Sequence, residues 1–399
     1  MESGSLWRNR DFTLLWTSQT LSDLAAFGTQ LALPLLVLGV GGSTAQAGAI
    51  ATTAAVASTV ARLPGGALAD RIDRRRLLLI SDAIRAAVMA LVAVSVATRH
   101  VSLPALAASF VVVAIADVVF SPAELAAVSS VVPEEQLPAA FARNEARSHA
   151  ASLVGPPLGG ALFGIARALP FGVDAASYVV SFVAISLIRR PLSPPRDEAA
   201  APASMRTAIA VGLRYVRGSA FLRALLAIAA PINFALSGAI FATTVIWRTH
   251  GVAPGTIGAA FGLMSLGGLA GAVLAPWVQR HLGFRALVLT IVWTLAAAVA
   301  AAAVLSPHLV MVVPLAVGLF LSPAVNSSLF GRLAATTPGD LQGRVVSVVF
   351  FAATGTAALA PLTMGLILSR ASGLPALLVC VAALVVAGVA ATVSRGIRG

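Results

Sequence analysis

Apolar positions along this chain form long, nearly continuous stretches that are separated by short polar segments. A helix that crosses a lipid bilayer needs about 20 mostly apolar residues, which is the typical length of these stretches. Backbone groups in lipid are satisfied only within helices or closed barrels, and the stretches are too long for barrel strands. The pattern predicts twelve transmembrane helices, at residues 12–40, 44–69, 77–98, 103–131, 145–168, 170–188, 221–247, 255–279, 285–305, 307–330, 344–368 and 373–393.

Composition and charge agree with an all-α integral membrane protein. Of the 399 residues, 58% are hydrophobic and 11% are charged. The net charge of +12 would suggest nucleic-acid binding in a soluble protein, but the 27 basic residues, all Arg, lie mainly between the predicted helices. If both termini are cytoplasmic, 21 of these arginines lie in or beside cytoplasmic segments, as the positive-inside rule requires. We expect a multi-pass protein that contacts the lipid bilayer and no nucleic acid.

The two halves of the chain resemble one another. Their matching residues, at offsets of 205 or 210, are Pro133, Pro156 and Gly160 with Pro338, Pro361 and Gly365, Asp23 with Asn233, and Gly48 with Gly258. Their constant order supports a duplicated six-helix unit. We expect two pseudo-symmetric six-helix bundles, at residues 1–190 and 221–399, which a cytoplasmic linker with an interfacial helix joins at 191–220.

A charged segment between the second and third predicted helices carries the most specific motif. "GALADRIDRRR" resembles the helix 2–3 signature of the major facilitator superfamily, except that Asp73 replaces a Gly. The resemblance implies the major facilitator fold and a latch in which Asp70 accepts hydrogen bonds from the start of helix 11. The expected latch residues are Gly66, Asp70, Arg71, Arg74, Arg75 and Arg344. The alternative is that the arginines only fix the orientation of the loop.

Helix 5 contains a second motif. "ASLVGPPLGG" resembles the antiporter motif of this superfamily, with Ala151 in place of its first Gly. Its prolines bend the helix and its glycines permit close packing, although ordinary packing of small residues is the alternative. The motif residues are Gly155, Pro156, Pro157, Gly159 and Gly160. Segments such as "LLWTSQTLSDLAAFGTQ" and "FGVDAASYVVSFV" are similar to enterobactin-exporter-like and macrolide-efflux-like proteins. This resemblance implies a proton-driven exporter of a bacterial inner membrane that works as a monomer.

Polar residues inside predicted helices indicate a substrate pathway, because ionisable groups are costly in lipid. Asp23 lies near the middle of helix 1, on a polar and aromatic stripe at steps of three or four residues, and helix 7 has a similar stripe. The expected substrate-binding residues are Trp16, Gln19, Asp23, Phe27, Gln30, Asn233, Ser237 and Phe241. The alternative for Asp23 is a hydrogen-bonded packing residue.

The membrane-embedded acids all belong to the N-terminal half, because the only acid after residue 221 is Asp340, in a predicted loop. If protons drive transport, this half must carry them. The predicted proton-coupling residues are Asp23, Asp117 and Glu124. We also expect Asp82 and Arg85 to pair along helix 3. Helix 4 lacks the arginine that many proton-driven exporters carry there, and Arg62 is the candidate substitute.

The sequence contains no Walker-type phosphate loop and no Cys/His cluster, and its single cysteine excludes an intrachain disulfide. We therefore expect no enzymatic activity, no metal and no cofactor. The expected function is export of amphipathic small molecules, such as drugs or antibiotics, by proton antiport and alternating access. The alternatives are a dedicated exporter of a siderophore or an endogenous metabolite, and a lysophospholipid transporter.

Overall fold

The computed structural model describes residues 6–69, 72–192, 214–336, 339–394 and 396, whose regular structure is helical. Short 3-10 helices lie at Leu6–Arg8, Glu134–Gln136 and Leu309–Met311, and a single helical turn at 214–218 precedes α7. The thirteen longer helices in these ranges are α1 (Arg10–Gly39), α2 (Thr44–Ala69), α3 (Arg74–Ala97), α4 (Leu103–Val131), α5 (Leu137–Ile165), α6 (Leu169–Ser186), α7 (Ala220–Thr249), α8 (Pro254–His281), α9 (Phe284–Leu305), α10 (Val312–Leu319), α11 (Ser322–Thr336), α12 (Gly339–Leu368) and α13 (Gly373–Val393).

Ten helical stretches in the described ranges are long and apolar enough to cross a membrane. The all-helical membrane fold is therefore confirmed, whereas the count of twelve spans stays a prediction. The two predicted spans outside this set, α2 and α5, are nevertheless helical. The start predicted for helix 5 is wrong, because α5 begins at Leu137 and not near residue 145. Its first half carries Arg143, Glu145 and Arg147, which lower its hydropathy.

The helix predicted at 307–330 is divided in two. Helix α10 ends at Leu319 and α11 begins at Ser322. Pro323 explains the break, since proline lacks an N–H group and its ring clashes with the carbonyl four residues earlier. The two pieces still form one apolar stretch, Leu309–Leu333, that is long enough to cross a membrane.

The chain divides into two compact units. The first comprises Met1–Val40, Thr53–Ala201 and Ala253–Ala259. The second comprises Gly41–Thr52, Pro202–Val252 and Ala260–Gly399. The start of α2 therefore packs within the second unit and the start of α8 within the first.

Among the close helix crossings that require glycine, one in each unit corresponds to one in the other. A Cβ atom on Gly258 of α8 would overlap the backbone of Pro156 on α5, and a Cβ on Gly48 of α2 would overlap Pro361 on α12. In both crossings the added Cβ would overlap the carbonyl oxygen of a proline. Gly258 and Gly48 are 210 positions apart in the sequence and the two prolines are 205 apart, which are the offsets of the repeat. The residues that the sequence repeat pairs thus occupy matching places in the two units.

An apolar layer closes one end of the first unit. Its buried side chains come from the ends of α1, α3, α4 and α6, and include Phe12, Leu15, Leu78, Val131 and Ile185. The next layer along the same helices is polar and charged. The apolar layer therefore orders these helices and fixes the backbone positions from which the charged side chains extend.

Candidate functional site: a buried ion-pair network

Arg147 on α5 joins acids from two other helices. Its Nε lies 3.0 Å from Oδ2 of Asp23 on α1, and its Nη2 donates a hydrogen bond of 2.9 Å to Oε1 of Glu124 on α4. The side chain of Arg147 is 7% exposed, whereas those of Asp23 and Glu124 are 29% and 15% exposed. One guanidinium between two carboxylates leaves this triad with a formal charge of −1.

The glycines of α5 position this triad. A Cβ atom on Gly159 would overlap the backbone of Gly28 on α1, and one on Gly155 would overlap Phe27 and the carbonyl of Leu24. Because the two helices touch through their backbones here, side chains one to three turns away meet across a short gap. Arg147, eight residues before Gly155, reaches Asp23 in this way.

Arg85 on α3 forms a second triad. Its Nη1 donates a hydrogen bond of 2.7 Å to Oδ1 of Asp117 on α4, and its Nη2 pairs with Asp82 one turn earlier on α3. The guanidinium carbon lies 3.9 Å from the ring centroid of Phe120 and 4.4 Å from that of Tyr178. These cation–π contacts hold the arginine, which is 5% exposed, inside the unit. The predicted Asp82–Arg85 pair is confirmed.

Hydrogen bonds connect the second triad to α1. Gln19 on α1 donates a hydrogen bond of 2.7 Å to Oγ of Ser181 on α6, and Ser181 donates one of 2.7 Å to Oδ2 of Asp82. Gln19 lies one helical turn before Asp23, so both triads are linked through α1. Five helices, α1 and α3 to α6, thus contribute to one polar network with two guanidinium groups and four carboxylates.

The predicted proton-coupling residues occupy different parts of this network. Asp23 and Glu124 share Arg147, whereas Asp117 pairs with Arg85. The suggested pairing of Arg62 with an acid of helix 4 finds no support, since Arg62 is exposed and these acids have other partners. Asp174 on α6 is 1% exposed, and its Oδ1 has no hydrogen-bond partner in the described ranges.

The predicted stripe on α1 makes several kinds of contact. Nε1 of Trp16 donates a hydrogen bond of 3.3 Å to the carbonyl of Arg143 on α5, and Phe27 packs against Gly155. Gln19 is buried against α6, as described above, and Gln30 is exposed. The stripe therefore faces both α5 and α6, and Asp23 lies between these two contacts.

The second unit contains a cavity of about 340 Å³. It is bordered by α7, α9, α11 and α12, and the side chains that line it carry no charge. Asn233, from the predicted stripe on α7, lines it together with Asn326 on α11. Of the other predicted residues on α7, Phe241 is buried in the helix packing and Ser237 is half-buried, and neither borders this cavity.

The predicted latch is only partly described. Asp70 and Arg71 lie outside the described residues, as do the side-chain surroundings of Gly66 and Arg344. Arg74 donates to the carbonyl of Leu192.

Arg75 donates to carbonyls at the end of α6, including that of Ile188 at 2.6 Å. Such contacts satisfy the carbonyls at a helix C-terminus, where positive charge is also favourable. Asp73, which replaces the Gly of the signature, caps α3 by accepting a hydrogen bond of 3.0 Å from the N–H of Arg76.

The role of Arg147 was missed because the predicted helix 5 began at residue 145, which placed Arg147 in its first turn, near the expected cytoplasmic surface. The segment from Ala139 to Val154 is rich in Ala, carries two Arg, and contains neither Gly nor Pro. This signal would have placed Arg147 inside the helix, two turns before the "GPPLGG" motif. The pairing of Arg85 with Asp117 has no comparable signal, because it joins side chains 32 positions apart on different helices.

Comparisons with known proteins agree with this architecture. A family described as transmembrane secretion effector matches residues 4–397. The multidrug efflux pump Tap of Mycolicibacterium fortuitum is 29% identical over 354 residues, covering 86% of this chain and 84% of Tap. Tap of Mycobacterium tuberculosis is 29% identical over 365 residues, covering 86% and 83%.

Solved transporter structures share the fold. A bacterial homologue of the human lysosomal transporter Spinster superposes with a TM-score of 0.78 at 16% identity, covering 99% of this chain and 98% of that protein. The nucleoside transporter NupG superposes with a TM-score of 0.71 at 11% identity, covering 96% and 98%. Because the family match spans nearly the whole chain, this protein belongs to the transmembrane secretion effector family of the major facilitator superfamily of membrane transporters.

Proposed function

We propose that this transporter exports amphipathic small molecules, cationic ones in particular, by proton antiport and alternating access. The Asp23–Arg147–Glu124 triad is the observation that carries the proposal. Its net charge of −1 lies in a part of the protein that lipid surrounds, where unbalanced charge is costly. One additional positive charge neutralises it.

A proton and a substrate cation both satisfy this requirement. When a proton binds Asp23 or Glu124, the triad becomes neutral and its attraction for a cation falls. When the proton leaves, the carboxylate is again available to the positive group of a substrate. Because the triad accepts only one further charge, the two ligands exclude each other, and this exclusion is the basis of exchange. Arg147 prevents the pair of acids from holding two cations at once.

The second unit offers the complementary chemistry. Its uncharged cavity falls at the lower end of the range of small-molecule sites, about 300–1,000 Å³. Apolar side chains surround the amides of Asn233 and Asn326, which suits the apolar body and the polar groups of an amphipathic molecule. The name of the Tap relatives, multidrug efflux pump, supports the same class of substrate.

The proposed architecture follows from the sequence repeat and the two glycine crossings. It has twelve spans, in six-helix bundles at 1–190 and 221–399, with a linker at 191–220 and both termini in the bacterial cytoplasm. The latch residues expected from the signature, Asp70 and Arg344 among them, stay a proposal, as does the helix 5 motif as a close-packing element; Arg344 lies in the second turn of α12, which begins at Gly339. The transporter works as a monomer, with protons and a small molecule as its partners.

Proton release from everted membrane vesicles tests this function. With an inside-acid gradient, lipophilic cations, macrolides and siderophores are added one at a time while a pH-sensitive dye reports proton leakage. We expect release with the lipophilic cations, and loss of that release in Asp23→Asn although the protein still folds and inserts. Glu145→Gln is the matched control, because this acid lies on α5 but is exposed and pairs with His149 at 3.2 Å.

Two results would contradict the proposal. Efflux coupled to protons as in the wild type, in a folded Asp23→Asn variant, would remove Asp23 from the coupling site. Silence across the panel with inserted wild-type protein would reject drug–proton antiport. Release by siderophores alone would favour the dedicated exporter instead.

A further inference from the structure

The triad around Arg85 is a second place in the first unit with an unbalanced charge. Arg85 pairs with both Asp82 and Asp117, so this cluster also has a formal charge of −1. It is distinct from the Arg147 triad, because in the described ion pairs no acid contacts both arginines. The function proposed above uses only the Arg147 triad, which leaves this charge without a role.

Asp117 is the less enclosed acid of this cluster. Its side chain is 43% exposed, compared with 0% for Asp82. Asp82 also accepts hydrogen bonds from both Ser181 and Arg85, whereas Arg85 is the one side chain in the described part of the protein that donates to Asp117. Two donors stabilise a carboxylate more than one does. Asp82 therefore remains the permanent counterion of Arg85, and Asp117 is the group that exchanges.

The surroundings of Asp117 leave no other group to balance the charge. The titratable neighbours are Asp82 and Arg85 on α3 and Tyr178 and Asp174 on α6. On α1, Gln19 reaches the cluster through Ser181, and the titratable group Asp23 lies farther along the same helix. Asp174 is 1% exposed, so it cannot exchange protons directly with water. Arg85 is the only cation among these neighbours in the described ranges.

The two carboxylates do not satisfy every donor of Arg85. The buried Nε of Arg85 has no hydrogen-bond acceptor in the described ranges, although its guanidinium carries both ion pairs. Buried donors in folded proteins are almost always satisfied, often by water. The Arg85 cluster is therefore incompletely compensated in hydrogen bonding as well as in charge.

We propose that Asp117 is a second proton site, separate from the Asp23–Glu124 pair, and that one cycle therefore exchanges two protons for one substrate cation. This inference rests on the proton antiport proposed above. Two protons move inward, each released from its carboxylate on the cytoplasmic side, while one monovalent cation moves outward. The cycle consequently transfers one net positive charge into the cell.

Steady-state accumulation in proteoliposomes measures the number of protons. The probe is tetraphenylphosphonium, and potassium with valinomycin holds the membrane potential at zero. A gradient of one pH unit is worth about tenfold in concentration per proton, so we expect about 100-fold accumulation by the wild type. Asp117→Asn keeps the Arg85–Asp82 pair and should reach about tenfold, whereas Asp117→Glu should restore the wild-type ratio.

Infrared difference spectroscopy of the purified protein provides a readout without substrate. On acidification, we expect two separable bands of protonated carboxyl groups. Asp117→Asn should remove one and Asp23→Asn the other, while Glu145→Gln removes neither. A wild-type accumulation ratio near tenfold, or an Asp117→Asn spectrum that matches the wild type, overturns the second site. Failure of the wild type to accumulate any cation, with both bands present, instead rejects the proposed function and retains the two sites.

Discussion

Removal of Arg147 provides the most direct test of the ion-pair network. Arg147→Met keeps the length and much of the volume of the side chain but leaves Asp23 and Glu124 facing each other with a formal charge of −2. Breaking a buried ion pair by removing one partner costs about 3–5 kcal/mol. Neutralising an ordinary carboxylate near neutral pH costs about 4 kcal/mol. Because one of the two acids can take up a proton at that cost, the loss of stability cannot exceed it. Since both acids are partly exposed, we expect the variant to lose about 3 kcal/mol of stability.

The same reasoning fixes the pH dependence. Once the pH is low enough for one of the two facing acids to hold a proton in the folded variant, its native state binds more protons than its unfolded state. Stability then rises as the pH falls, by up to about 1.4 kcal/mol per pH unit. A loss of about 3 kcal/mol corresponds to about two pH units, so the difference in stability between Arg147→Met and the wild type should shrink from about pH 6 and nearly vanish at about pH 4, where an ordinary carboxylate is protonated in the unfolded chain as well.

Thermal unfolding in detergent, followed by tryptophan fluorescence at several pH values, measures this effect. Arg143→Met is the matched control, because Arg143 lies one turn earlier on α5 and stacks on Trp7 at 4.9 Å without a described acid partner. Its loss should be about 1 kcal/mol and independent of pH. Glu124→Gln added to Arg147→Met restores the charge of −1 and should recover most of the stability. A pH-independent loss in Arg147→Met, or no recovery in the double variant, would refute the electrostatic account.

Two further predictions concern the helix framework. Gly258→Ala places a Cβ against the backbone of Pro156, so we expect a loss of about 1–3 kcal/mol, whereas Gly268→Ala on the same helix meets open space and should be neutral or stabilising. Equal melting temperatures for the two variants would contradict the close crossing. Asp73→Ala removes the cap of α3 at the N–H of Arg76 and should cost about 1 kcal/mol in thermal unfolding. Asp73→Ser retains a cap, so an equal loss in that variant would show that capping is not the cause.

The hydrophobic pattern predicted the helices well, because a helix that crosses a bilayer needs an apolar stretch about as long as the bilayer is thick. The predicted starts and ends of most helices lie within a few residues of those observed, as for 103–131 in α4 and 373–393 in α13. The break before Pro323 was missed because proline is tolerated inside other helices here, including Pro122 in α4. The local sequence "SPA" is the same at both places, so the difference between them arises from tertiary packing.

The candidate site was predicted only in part. Helical periodicity placed Asp23 among polar residues, and spacing along one helix predicted the Asp82–Arg85 pair. Contacts between helices carry no local signal. Asp23 meets Arg147 because the backbones of α1 and α5 cross closely at glycines distant in sequence, whereas Asp117 meets Arg85 between two helices that contain no glycine. Periodicity identifies which face of a helix is polar, but the partner on the neighbouring helix depends on the crossing point and on how far each helix extends.

The location of Arg147 also changes how the charge pattern should be interpreted. The positive-inside rule assigns arginines near a helix end to the cytoplasmic surface, where water balances their charge. Arg147 lies ten residues inside α5, and its side chain is 7% exposed, so its charge is balanced by protein. Together with Arg85, it reduces the charge of the four carboxylates in the network from −4 to −2. Two remaining negative charges, one beside each arginine, are what a transporter needs if it is to exchange two protons through separate sites, and sequence positions alone could not have shown this pairing.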